Sequence, residues 1–170
     1  CTVDLSAFYF DIRKDTLYCD SKDSKKRQST IILLNVILNS LLKWFAPILS
    51  FTTEEIFRLL SKDNKSIHLE KFLDFPENFK NEKLNEKWIE LIKLRNVCNI
   101  SIEEKRASKE IGSSLEAELE IHLNKKWSEI TRGIDFSELC ITSKAQILFI
   151  DNDDLNVKTL KAKGSKCPVC

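Results

Sequence analysis

Leu115-Glu116-Ala117-Glu118-Leu119-Glu120-Ile121-His122-Leu123 alternates strictly between apolar and polar residues. A period of two puts every second side chain on one face of an extended chain. The stretch therefore predicts a β-strand with an aliphatic face to bury and an acidic face to turn outward. Just before it, Ile111-Gly112-Ser113-Ser114 interrupts a long run of helical periodicity. The change of period near Lys109–Ser114 divides the chain into residues 1–110, helical, and residues 111–170, a small α+β module.

Upstream of the break, Leu84, Trp88, Leu91, Ile92, Arg95, Cys98 and Ile102 predict one side of a helix from about Lys83 to Lys109. Residues 61–82 read as loop, with a short extended piece at Ile67–Leu69 and a stop near Pro76. Thr52-Thr53-Glu54-Glu55 has the form of a capping box, so a helix is expected from about Thr53 to Leu60. Ile31, Leu34, Leu38, Leu41, Leu42 and Phe45 predict a longer helix from Lys26 to Phe45, ended by Pro47. Leu5, Phe8, Ile12 and Leu17 predict a helix over residues 4–18. Downstream of the break, a short helix is expected over Lys125–Thr131, and strands over Leu139–Ile150 and Leu155–Ala162, with a turn at 151–154 between them. The fold class is mainly α: a helical bundle followed by the small α+β module.

Three glycines and three prolines in 170 residues are few, which favours long helices. Charged residues make up 31% and the net charge is +1, so local patches rather than overall charge decide any affinity for nucleic acid. No apolar run is read as long enough to span a bilayer. The scattered cysteines read as reduced and the compartment as cytosolic. Cys167-Pro168-Val169-Cys170 has the spacing of two zinc ligands on one tight turn. Cys1, Cys19, Cys98 and Cys140 stand singly, and His68 and His122 lie far apart, so the other two ligands are expected beyond Cys170. The chain reads as the C-terminal part of a larger protein, cut through a zinc knuckle.

Four stretches, in order, carry a family resemblance. They are Asp4-Leu5-Ser6-Ala7-Phe8-Tyr9-Phe10-Asp11-Ile12 with Lys14-Asp15 and Leu17-Tyr18; Trp44-Phe45-Ala46-Pro47-Ile48-Leu49-Ser50-Phe51-Thr52 with Glu54-Glu55-Ile56; Lys109 to Ala117; and Gly164 to Cys170. Together they resemble the C-terminal region of bacterial-type isoleucyl-tRNA synthetases. The resemblance implies that residues 1 to about 110 are most of a helical anticodon-binding domain and that the remainder ends in a zinc knuckle. It implies a parent ligase that uses ATP to attach isoleucine to its tRNA, with the tRNA anticodon arm as partner, zinc as a cofactor held in part by Cys167 and Cys170, and no membrane. The parent is expected to be monomeric. The adenylate-forming motifs of that family (His-Ile-Gly-His-like and Lys-Met-Ser-Lys-Ser-like) do not occur here, so no catalytic residue is assigned and ATP is expected on the absent catalytic domain.

Candidate RNA contacts are cationic. Lys22, Lys25, Lys26 and Arg27 cluster at a helix start, where lysines oppose the helix dipole and so have no evident local stabilising purpose. Lys158, Lys161, Lys163 and Lys166 form a second cluster beside the knuckle; the alternative is an edge strand protected by lysines. Lys105, Arg106 and Lys109 either touch tRNA or complement a helix C-terminus. Trp44, Trp88 and Trp127 are candidates to stack on unpaired bases, but Trp44 and Trp88 lie on or beside apolar stripes and are expected in the core, with Trp127 in a more polar stretch. Glu116, Glu118 and Glu120 are expected in a solvent-facing row rather than around a metal. The rival functions are a stand-alone zinc-dependent interaction module and, more remotely, a hydrolase or redox enzyme using Cys167 and Cys170 as a reactive dithiol.

Overall fold

The computed structural model describes residues 2–61, 65–151 and 155–164. Helices occupy the first two-thirds, and among the described residues every strand follows Gly112. The helices are α1 (Asp11–Tyr18), α2 (Lys25–Phe45), α3 (Ser50–Leu60), α4 (Glu82–Ala107), α5 (Ser128–Thr131) and α6 (Phe136–Cys140). The strands are β1 (Ala117–Asn124), β2 (Lys144–Ile150) and β3 (Asn156–Lys161). The mainly-α architecture with a small α+β module is thus present. Packing groups the residues differently from composition. One compact unit joins residues up to Lys14 with those from Asn81 onward, and the other is Asp15–Lys80. Helix α4 therefore packs with the sheet, sharing one core with β1.

In that unit β1 is the central strand, parallel to β2 and antiparallel to β3. Ala117, Leu119, Ile121 and Leu123 are all fully buried, as the alternation predicts. Removing the three larger side chains from water contributes roughly 1.5–3 kcal/mol each. Helix α4 supplies Leu91, Leu94, Cys98 and Ile102 to the same core, at successive spacings of three, four and four residues. Ile92 and Leu84, expected on that side, are instead 40% and 48% exposed. Ile92 falls off the line drawn by the buried four. It joins Ile89 and Ile100 on the outward side of the helix, so α4 carries two apolar stripes. Trp88 packs against this core, edge-on to Phe8 with ring centres 6.4 Å apart, and Trp127 is half-buried against it. Trp44, expected in a core, is 55% exposed.

The first helix departs from expectation. Thr2–Phe10 winds as a π-helix, and α-helical geometry begins only at Asp11. Arg95 anchors the segment's Phe8, its guanidinium carbon 5.1 Å from the ring centre, while its Nε donates to the Leu139 carbonyl at 2.8 Å. Arg13 pairs with Glu138 at 2.9 Å. The strand expected over Leu139–Ile150 begins only at Lys144. Asp135 Oδ1 accepts from the Ser137 and Glu138 amides, and this cap turns residues 136–140 into a helix. Ile141 ends it in the left-handed conformation at φ 56°.

The second unit is built on α2 and α3. Ser24 Oγ caps α2 by accepting from the Arg27 amide. Leu42, Ala46 and Ile67 form the small core, with Leu38, Ile56 and Phe57 around it. The capping box at Thr52–Glu55 is not used. Helix α3 starts earlier, at Ser50, because Ile48 and Leu49 already turn on the Phe45 carbonyl. Thr53 sits inside the helix, and its hydroxyl donates to the Leu49 carbonyl. The extended piece expected at Ile67–Leu69 is a 3-10 turn. By length and composition alone α2 could cross a bilayer, contrary to the expectation that no run is long enough. Its Thr30, Asn35, Asn39 and Ser40 each bond a carbonyl one turn back, and Leu42 lies in the core shared with Ile67.

Candidate nucleic-acid interface

The structure separates the predicted cations into three situations. At the corner between α1 and α2, Lys22, Lys25 and Lys26 are exposed, while Arg27 is partly buried. Arg27 Nε donates to the Leu17 carbonyl at 3.0 Å, tying the first turn of α2 to the last turn of α1. The corner between them is closely bonded. Ser24 Oγ donates to Asp20 Oδ2 at 2.9 Å, and the Ser24 amide donates to the Ser21 carbonyl at 3.1 Å. Gln28 Nε2 donates to the Lys22 carbonyl at 3.3 Å. Lys22 and Lys25 are thus carried on a held backbone. Arg27 serves to hold it, which its sequence position gave no hint of.

At the end of α4 the cations are paired. Lys105 Nζ donates to both Glu110 carboxylate oxygens, at 2.8 and 2.9 Å, and Arg106 donates to Glu103 at 2.6 Å. The Lys105 bond, reinforced by the Ser108 hydroxyl, holds the Glu110 carboxyl below the ordinary carboxylate range. Lys109 takes the left-handed φ of 60° at the helix C-terminus, so the chain reverses there and not at Gly112. The Glu110 amide then closes on the Lys105 carbonyl and the Lys109 amide on that of Arg106. Backbone groups of these residues thus close the helix end, while the Lys105 and Arg106 side chains are occupied by glutamates.

On β3, Lys158 lies opposite Glu120 and Lys161 opposite Ala117. Their odd separation sends them to opposite faces of the sheet. Lys158 shares its face with Glu118, Glu120 and His122; Lys161 sits beyond Thr159 on the core side, exposed at the strand's end. They are not one patch. The acidic row is partly covered: Glu118 pairs with Lys144 at 2.7 Å, and Glu116 accepts from the Gly112 amide at 2.9 Å. Lys166, Cys167 and Cys170 lie outside the described residues. Among the described residues no three His, Cys, Asp or Glu side chains gather as a metal would require. His68 is exposed, and His122 is half-buried with its Nδ1 shielded from solvent and unbonded.

An exposed aromatic ring adds to the α1–α2 corner. Tyr18, the last residue of α1, is 84% exposed, next to the Leu17 carbonyl that Arg27 grips. A tyrosine at a helix end has no sequence pattern to mark it. An array of exposed cations and an exposed ring on a fixed corner can neutralise phosphates and offer a flat apolar face to a base.

This chain belongs to the family of anticodon-binding domains of tRNA ligases, whose model matches residues 1–121. Within that class its similarity is to isoleucine–tRNA ligases along its length. It is 66% identical to the isoleucine–tRNA ligase of Pelagibacter ubique over 170 residues, all of this chain and 19% of that protein. It is 43% identical over 147 residues to that of Agrobacterium fabrum, 86% of this chain and 15% of the relative. It is 35% identical over 172 residues to that of Gluconobacter oxydans, all of this chain and 18% of the relative. The chain thus spans about a fifth of the length of the curated relatives it matches. The family resemblance drawn from four short stretches extends over the whole chain.

Proposed function

We propose that this chain is the part of an isoleucine–tRNA ligase that holds the anticodon arm of its tRNA. The match of residues 1–121 to anticodon-binding domains carries the reading. The exposed Lys22, Lys25 and Lys26 on the α1–α2 corner give it a physical basis, because lysines that neutralise phosphates release condensed counterions. The functional division follows the change of period near residue 110, with Lys158 and Lys161 as lesser phosphate contacts from the C-terminal module. The whole ligase, of class I, would activate isoleucine with ATP on a domain this chain lacks, work in the cytoplasm as a monomer, and bind no membrane. Zinc would be held through the thiolates of Cys167 and Cys170 with two further ligands. The described fold offers no metal cluster to complete that set. The whole-chain similarity to ligases weighs against a stand-alone zinc-dependent interaction module.

The test is a titration of the chain with the anticodon stem-loop of isoleucine tRNA across a range of salt. Binding should weaken steeply as salt rises. Replacing Lys22 and Lys25 by alanine should weaken binding to any RNA and flatten the salt dependence by about 0.7 in logarithmic slope per lost phosphate contact. Arg27 is unsuitable as a probe, since its loss would also release Leu17. A chain that shows no saturable binding at low salt would overturn the reading.

A further inference from the structure

We infer that Tyr18 is a stacking platform for an unpaired base of the RNA whose phosphates Lys22 and Lys25 hold. The inference rests on the RNA-binding reading above and deepens it from a charged surface to a particular ring.

Three observations meet at this residue. First, its ring is 84% exposed. A tyrosine side chain can bury about 150–250 Å², so a ring this open at the end of a helix leaves most of its area available to a partner. Second, the backbone that carries it is held on both sides. The Cys19 amide donates to the Asp15 carbonyl at 2.8 Å, and Arg27 Nε holds the carbonyl of Leu17 at 3.0 Å. A base that stacks on a held platform loses less entropy than one that must first order a loop. Third, the cations follow within a few residues and ride on the same corner, where Arg27 binds the end of α1 to the start of α2. On the same corner the Asp20 carboxylate accepts from Ser24 Oγ and Asp23 is exposed, and the four cations Lys22, Lys25, Lys26 and Arg27 outnumber these two acids.

The chemistry of the partner follows. An aliphatic protein surface would prefer an apolar surround, whereas Tyr18 is flanked by polar and charged residues from Asp20 to Gln28. A nucleotide presents a flat π-face and a charged backbone together, and this corner presents the complement of both. Phe51, at 93% exposure, is as open as Tyr18 but stands in Leu49-Ser50-Phe51-Thr52-Thr53 with no adjacent cation. Stacking tolerates any base, so the ring adds affinity for single-stranded loops over paired helices rather than reading one sequence.

The experiment uses the 170-residue chain with two RNAs: the anticodon stem-loop, carrying 2-aminopurine at each loop position in turn, and a blunt RNA duplex of equal charge. Tyr18→Ala should weaken stem-loop binding about 5- to 100-fold, leave duplex binding and the salt slope unchanged, and abolish the 2-aminopurine quenching seen at one loop position. Tyr18→Phe should behave as the parent chain. Unchanged helical circular dichroism and melting in Tyr18→Ala keep the comparison free of folding effects. Loop binding undiminished in Tyr18→Ala, or an equal loss on loop and duplex, would overturn the stacking role while leaving RNA binding in place. A Tyr18→Phe variant as weak as Tyr18→Ala would overturn it too, in favour of a hydroxyl hydrogen bond. A parent chain that binds neither RNA would overturn the RNA reading itself and this inference with it.

Discussion

Ser101 Oγ lies 2.7 Å from Thr159 Oγ1, joining α4 to β3 across 58 residues of sequence. Ser101 Oγ is also 3.2 Å from the Val157 carbonyl, so one hydroxyl serves two partners on the strand. Thr159 is buried at 3% exposure. Ser101→Ala would leave the Thr159 hydroxyl buried and unpaired, and should cost about 1–3 kcal/mol. The pair Ser101→Ala with Thr159→Val removes both hydroxyls and should cost less than Ser101→Ala alone. Urea unfolding of the two variants checks this; equal midpoints would show the bond to be of no consequence.

Lys109 holds φ at 60°, where a side chain is disfavoured and glycine is not. It is exposed, so nothing is lost from a core on shortening it. Lys109→Gly should raise stability by up to about 1 kcal/mol, the αL relief being offset in part by the freer unfolded chain. Thermal melting is the measurement, and a lower midpoint would refute the strain argument.

Glu54 replaces a helix cap with a tertiary bond. Its Oε2 accepts from the Ile67 amide and from Ser66 Oγ, both at 2.9 Å, while Oε1 takes Arg58. The Ile67 amide, then Ser66, then Arg58 hold its carboxyl below the ordinary value of 4.5. A lowered folded value means that the stabilisation is complete above the unfolded value and is lost as pH falls through the folded one. The parent chain should lose stability more steeply than Glu54→Gln as pH falls below about 4.5, and the two should run parallel above it. Melting from pH 7 to pH 3 compares them; parallel curves throughout would show that the carboxylate has no such role.

Cys98 and Cys140 are buried, whereas Cys19 is exposed. The neighbouring Cys140 thiol, and then burial, push the Cys98 thiol far up from its ordinary value, so thiolate is scarce there. Iodoacetamide at mildly alkaline pH should modify Cys19 quickly and leave Cys98 and Cys140 until the chain is denatured. Peptide mapping by mass spectrometry reads out each site, and native labelling of Cys98 at the rate of Cys19 would contradict the packing.

Local periodicity is a property the backbone imposes wherever a face is buried, and so β1, α2 and α4 were legible from Leu115–Leu123, Ile31–Phe45 and Leu91–Ile102 alone. The cluster of cations at Lys22–Arg27 was legible as plain composition, and the four family stretches pointed to a resemblance that runs along the whole chain. Everything decided by contacts between distant residues was not. Periodicity places Trp44 on an apolar stripe, but whether a stripe is covered depends on what packs against it. The Thr52–Glu55 box satisfied the local rule for a helix start, yet Glu54 found the Ile67 amide and the helix began at Ser50. Lys158 and Lys161 are neighbours in sequence and lie on opposite faces of a strand. Arg27 reads as one more cation until the fold brings the Leu17 carbonyl to its Nε, which ties the end of α1, where Tyr18 stands, to the first turn of α2. Short-range sterics and burial are written residue by residue; partners brought together across tens of residues exist only once the chain has folded.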